Sequence, residues 1–229
     1  MKKFLLSAAA LLVLSAGFAS AQATNARIRV VHASPDAPAV DITVNGAKVL
    51  ENLPFREYSE YLSVPAGAYT FGINVTGTTT TVATLPATLA AGRDYTAVAV
   101  GYAGSGRTPG FDVLVLEDDN TLPANNGVKI RVVHGAPGAP AVDVYLTTPF
   151  ETLEGKTAGL SNVPFKAFSP YLTVPVGNYQ ARVAVAGTKT VAIDSHRLVT
   201  WNNMIRTVIA VDAKGGGAPF DFIILPDRN

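Results

Sequence analysis

The chain has 229 residues, with 18 basic and 17 acidic side chains, 48% hydrophobic residues and no cysteine. A balance this close to neutral implies no polyanion-binding surface, so nucleic acid is not an expected partner. The lack of cysteine excludes disulfides, thiolate metal sites and a lipoprotein anchor, so stability must come from packing alone.

The first element in chain order is "MKKFLLSAAALLVLSAGFASAQA": Lys2 and Lys3, an apolar run from Phe4 to Phe18, then Ala19-Ser20-Ala21. This is the layout of a cleavable secretory signal over residues 1–21, with a second cut site at Ala21-Gln22-Ala23. The run falls short of the roughly 20 residues of a spanning helix. The expected mature chain has 208 residues, 16 basic and 17 acidic, with no transmembrane segment. Its expected location is the periplasm, the cell surface or the medium.

After the leader the apolar pattern has period 2, with Ile28 and Val30 set against Arg27 and Arg29, and Val98 and Val100 between alanines. Turn signals such as "NG", "PAG", "TGT" and "AAG" break it into short runs. These predict strands over 27–33, 39–45, 56–64, 68–76, 79–85, 93–102 and 111–117, and essentially no helix. The inner faces are assigned to Val30, Val40, Ile42, Leu62, Phe71, Val98 and Val113.

The stretch "RVVHASPDAPAVDITV" at 29–44 returns as "RVVHGAPGAPAVDVYL" at 131–146, identical at ten of sixteen positions. The match runs on through "NLPFREYSEYLSVPAG" and "NVPFKAFSPYLTVPVG", and closes with "FDVLVLED" against "FDFIILPD". The second copy carries an insertion around "TTPFETLEGKTAG". A period near a hundred residues is the length of a whole domain. The fold expected is all-β: two tandem antiparallel β-sandwich domains of Ig-like or transthyretin-like type. The first spans 26–118 and the second 128–227, joined by a linker at 119–127.

The segments "RVVHASPDAPAVDITVNG", "LPFREYSEYLSVPAGAYTF" and "FDVLVLED", with their second-copy partners, resemble the bacterial family known as domain of unknown function 4397 (DUF4397). The resemblance implies a β-sandwich module, often in tandem, in secreted or surface proteins. It brings no activity, cofactor or catalytic residue.

The chemistry-bearing residues of the repeat are His32, Pro35, Pro38 and Asp41, with His134, Pro137, Pro140 and Asp143. One histidine and one aspartate per copy fall short of the three or four ligands of a zinc site. A turn stiffened by two prolines leaves carbonyls without partners, which an imidazole and a carboxylate can help to satisfy. These eight residues are therefore assigned to structural turns, with no catalytic residue, metal or cofactor. The competing reading is a metal-dependent or hydrolytic enzyme using His32, Asp36 and Asp41. "DSH" at 194–196 gives no triad, because neighbours on a strand point to opposite faces. "GYAGSGRTPG" lacks the strand and helix of a phosphate loop, and "EDDN" (Glu117 to Asn120) lacks a calcium-loop spacing but is the place for a weak calcium site.

Recognition candidates are Trp201, expected to be exposed, Tyr58, and Arg107 in the glycine-rich loop; Phe55, Phe165, Tyr69 and Tyr179 are assigned inside. The reading as a whole is a non-enzymatic exported binding or scaffolding protein of the cell envelope, with an envelope glycan or protein as partner. A purely structural envelope spacer is the third alternative.

Overall fold

A computed structural model describes residues 24–228; the leader assigned to 1–21 lies outside the described residues. The first copy forms β1 (Asn25–His32), β2 (Val40–Val44), β3 (Ala47–Leu53), β4 (Leu62–Pro65), β5 (Gly67–Val75), β6 (Thr81–Leu89), β7 (Asp94–Val100) and β8 (Asp112–Asp118). The second forms β9 (Val128–His134), β10 (Val142–Thr147), β11 (Leu160–Val163), β12 (Leu172–Val174), β13 (Asn178–Val185), β14 (Val191–Asp194), β15 (Leu198–Val199), β16 (Ile205–Val211) and β17 (Asp221–Pro226). The fold is all-β, and among the described residues no helix is long and apolar enough to cross a membrane.

Each copy is a pair of sheets. In the first they have the orders β3-β2-β5-β6 and β4-β1-β7-β8, and in the second β11-β10-β13-β14 and β12-β9-β16-β17. Neighbours are antiparallel except for β1 with β7 and β9 with β16, which run parallel. That one parallel pair per copy departs from the wholly antiparallel pairing expected.

Within the first copy, Phe71 from one sheet meets Ile28, Tyr95 and Ala97 from the other, and Val40, Ile42 and Ile73 meet Val30 and Val113. The opposite face of β1 and β7 is buried too. There Val31, Ala33, Val98, Val100 and Leu116 pack against Val133, Ile209, Val211, Ile223 and Leu225 of the second copy. The β4-β1-β7-β8 and β12-β9-β16-β17 sheets thus share a core. Each of its large side chains is worth about 1.5–3 kcal/mol in burial. Burial on both faces explains why β7 reads "DYTAVAV", a nearly continuous apolar run.

Four local details differ from the strand pattern read in the sequence. The alternation put Arg29 with Arg27 on an outward face, but Arg29 is 1% exposed because the second copy covers it, while Arg27 stays exposed. Val98, assigned to the sandwich interior, faces the shared core between copies. The run 56–64 is mostly a turn in which Arg56 has φ 74°, so only its end becomes β4, while the charged edge strand β3 forms where none was expected.

Candidate functional site

His32 closes β1 and is fully buried. Its Nε2 lies 2.9 Å from the Pro38 carbonyl, and its Nδ1 accepts the Ser34 amide at 3.3 Å. A carbonyl on one nitrogen and an N–H on the other select the neutral tautomer protonated at Nε2. His134 repeats this with the Pro140 carbonyl at 3.0 Å and the Ala136 amide at 3.4 Å. Phe55 and Phe165 each stand edge-on to their histidine, with ring centroids 6.1 and 6.2 Å away. Burial holds both imidazoles below their ordinary 6.5, against the opposing pull of the Pro38 and Pro140 carbonyls.

Asp41 and Asp143 work on different segments from the histidines. Asp41 accepts the Asn52 amide at 2.9 Å, the Thr76 hydroxyl at 3.0 Å and Lys48 at 2.9 Å. Asp143 accepts the Asn162 amide at 2.8 Å and the Gly187 amide at 2.9 Å. These main-chain bonds hold both carboxyls below the usual carboxylate range, with Lys48 adding to the effect at Asp41. Pro35 and Pro137 are buried, and the Pro35 carbonyl accepts the Gly215 amide of the second copy at 2.8 Å.

Asp36 accepts the Ala103 amide at 2.7 Å, the Gly104 amide at 3.1 Å and Arg107 at 2.8 Å. Its second-copy counterpart is Gly138, where a Cβ would stand 2.7 Å from Asp212 Oδ2 and 2.8 Å from the Tyr102 hydroxyl. Arg107 also donates to the Gly215 carbonyl at 2.9 Å and lies over Tyr102, 3.6 Å from the ring centroid. In "DSH", Ser195 Oγ donates to the His196 carbonyl while Asp194 accepts from Gln180 and the His196 amide, so the three do not assemble. Along Glu117 to Asn120 the acidic groups are taken up by Arg93, Arg131 and Lys129. Among the described residues no three His, Cys, Asp or Glu gather as metal ligands.

The open site lies elsewhere, where the copies meet. A cleft of about 450 Å³ is lined by Arg27, Arg29, Tyr58, Ser59, Glu60, Tyr61, Asn120, Pro226, Asp227 and Arg228. Tyr61 donates to Asp118 at 2.6 Å, and the guanidinium carbons of Arg27 and Arg29 lie 5.0 and 4.7 Å from its ring centroid. Burial raises the Tyr61 hydroxyl well above its ordinary value, with Asp118 adding to the rise. Asn120 donates to Asp94 at 2.7 Å, but its Oδ1 is buried with no hydrogen-bond partner among the described residues.

At the position related by the repeat, Lys129 replaces Arg27. It is 5% exposed, held by Asp119 at 2.6 Å and the Thr121 carbonyl at 2.8 Å, so the linker closes over that side. Of the three recognition candidates only Tyr58 lines the cleft. Trp201 is 57% exposed with Arg206 beside its ring, and Phe150, in the insertion, is 89% exposed.

A family model described as a domain of unknown function, DUF4397, matches residues 26–145, the first copy and the start of the second. No curated protein matches the chain. Among solved structures, a family 26 carbohydrate-binding module of Eubacterium rectale Amy13K, in complex with maltoheptaose, is 12% identical with TM-score 0.28, covering 90% of this chain and 98% of its own. An α-glucan-binding streptococcal virulence factor is 12% identical with TM-score 0.27, covering 80% and 93%. The Bacillus anthracis TIE protein is 11% identical with TM-score 0.25, covering 84% of this chain and 34% of its own.

Proposed function

The chain belongs to the DUF4397 family, and from that premise we propose a non-enzymatic binding and scaffolding protein of the cell envelope whose ligand site is the cleft between the copies. The observation that carries this reading is Asn120, whose Oδ1 is buried without a donor among the described residues, at the wall of a cleft that also offers Glu60, Arg228 and the Tyr58 ring. A buried acceptor left unpaired is costly, so a ligand that donates to it gains more than it would from an exposed group. A hydroxyl-rich ligand supplies such a donor, and its apolar ring face stacks on tyrosine. An envelope glycan is the ligand class with that chemistry.

Export rests on the leader read at 1–21. The enzymatic alternative needs His32, Asp36 and Asp41 free to act, yet His32 is spent on the Pro38 carbonyl of its own turn, Asp36 on the Ala103 amide and Asp41 on the Asn52 amide. The domain division at 119–127 is part of the same proposal: two sandwiches held rigidly against each other would present the cleft as a fixed surface. The test is a glycan array and an envelope pull-down with the wild-type mature protein and with Asn120→Ala and Tyr58→Ala. Binding by the wild type that both variants weaken at least tenfold supports the reading. An empty array and pull-down, or binding that both variants retain, overturns it.

A further inference from the structure

We infer that the second copy holds a small uncharged aromatic ligand between its two sheets, in a cavity that the first copy fills with its own side chains. The inference is independent of the cleft. The strand registers make the two copies comparable position by position. Val44 pairs with Phe71 in the first, and Leu146 with Ala181 in the second. Ile28 pairs with Tyr95, and Ile130 with Arg206. Gly67 pairs with Leu89, while Thr200 donates its amide to the Gly177 carbonyl at the matching place.

Phe71, Tyr95 and Leu89 are all buried and form one cluster with Ala26, Ile28 and Ala97. Their counterparts cannot rebuild it. Ala181 stops at Cβ, Thr200 is short and polar, and Arg206 turns outward with its guanidinium over Trp201, 5.5 Å from the ring centroid. Of the three, Ala181 lines the apolar groove that results, with Ile130, Val144, Leu172, Val208 and Phe222 among its other walls; the groove has a volume of about 120 Å³ and opens to solvent at Leu146, Leu172 and Ile224.

The wall chemistry defines the ligand. Among the described residues Ser195 has the only polar side chain in the lining, and its Oγ is already engaged, accepting the Ala181 amide at 2.8 Å and donating to the His196 carbonyl at 3.0 Å. A charged or hydrogen-bonding ligand would find no partner there. The space vacated at Ala181 is that of the phenyl ring of Phe71, and apolar cavities of about 150 Å³ take up benzene. A way in is built into the edge. In the first copy β6 runs unbroken from Thr81 to Leu89, whereas the second copy breaks between β14 and β15 at His196, φ 54°, beside the lining residues Ser195 and Leu198.

The experiment uses the mature chain with benzene and toluene as probes, read by methyl chemical shifts and by melting temperature. The expected result is ring-current shifts confined to methyls of Ile130, Leu172, Leu198 and Val208, with a saturable rise in melting temperature. Ala181→Phe should itself raise the melting temperature and weaken probe binding at least tenfold. Ala181→Leu, a smaller filling, serves the same purpose if the phenylalanine variant fails to fold. Shifts absent from these methyls, or binding unchanged in the folded filled variant, would overturn the inference and leave the cavity a packing defect.

Discussion

The guanidinium of Arg29 in β1 donates to the carboxylate of Asp227, which follows β17 at the far end of the second copy, and Arg131 in β9 donates to Asp118 at the end of β8 at 2.5 Å. The two bonds are one bond made twice, each copy giving its arginine to the other's terminal aspartate. Thr96 and Tyr61 complete one cluster around Asp118, and Thr207 and Tyr171 the other around Asp227. A second reciprocal pair, Arg56 with Asp221 at 2.9 Å and Lys166 with Asp112 at 2.5 Å, repeats the relation at the rim. A self-complementary contact of this kind is the geometry of a two-fold interface, here between copies on one chain.

Asp227→Ala should therefore destabilise the chain by about 3–5 kcal/mol, because it strands a buried guanidinium. Arg29→Met in the same background should recover part of that loss, since the unpaired charge is gone. Urea unfolding of the two single variants and the double measures the coupling. Purely additive losses would show that the pair is not a unit.

The rim pairs behave differently. Lys166 and Asp112 are both well exposed, so Lys166→Ala should cost no more than about 1 kcal/mol and lose even that at high salt. Equal losses from Asp227→Ala and Lys166→Ala would contradict the burial contrast on which the argument rests.

The shared core predicts how the chain unfolds. Ile209 is fully buried among side chains of both copies. Ile209→Ala should cost about 2–5 kcal/mol and lower a single calorimetric transition as a whole. Two transitions, with only one of them shifted, would mean that the copies are energetically separate.

Much of the fold was legible in the sequence because alternation reports which face of a strand is buried. Val40, Ile42 and Phe71 sit inside as read. Alternation says nothing about what lies across the other face, so Arg29 looked like a solvent residue. The missed clue was in the repeat itself: Arg29 with Arg131, and Asp118 with Asp227, are conserved between the copies although each falls on a nominally outward position. The cleft had no linear signal, because its walls come from residues 27–29, 58–61, 120 and 226–228. The replacement of Phe71 by Ala181 was visible in the aligned copies. Its consequence was not, since a small residue leaves a cavity only where no neighbour moves in.

The two buried histidines set a pH dependence. Burial lowers both below 6.5, so the unfolded chain binds protons that the folded chain refuses. Their contribution is complete above about pH 6.5 and is lost as pH falls through the lowered folded values, so melting temperature should drop between roughly pH 7 and 5. Asp212, the charge that acts on His134, opposes the shift without reversing it. The double variant His32→Gln with His134→Gln should melt lower at pH 7.5 yet show a flatter slope down to pH 5. A slope as steep as wild type would assign the dependence to other groups.

Asp41 and Asp143 test whether the duplicated carboxylate serves main chain or charge. Among the described residues no lysine lies within salt-bridge distance of Asp143, while Asp41 has Lys48, whose side chain is 43% exposed. Both fix the amide of an asparagine in the left-handed region, Asn52 at φ 53° and Asn162 at φ 50°. If these amide bonds are what matters, Asp143→Ala and Asp41→Ala should each cost about 1–3 kcal/mol, while Lys48→Ala should cost no more than about 0.5 kcal/mol because an exposed ion pair contributes little. Asp143→Asn should fall between wild type and alanine, since its carbonyl oxygen still accepts one amide while its NH₂ faces the other donor. Hydrogen exchange at the Asn162 and Gly187 amides measures the effect where it arises. Protection unchanged in Asp143→Ala would remove the carboxylate from any part in holding this turn.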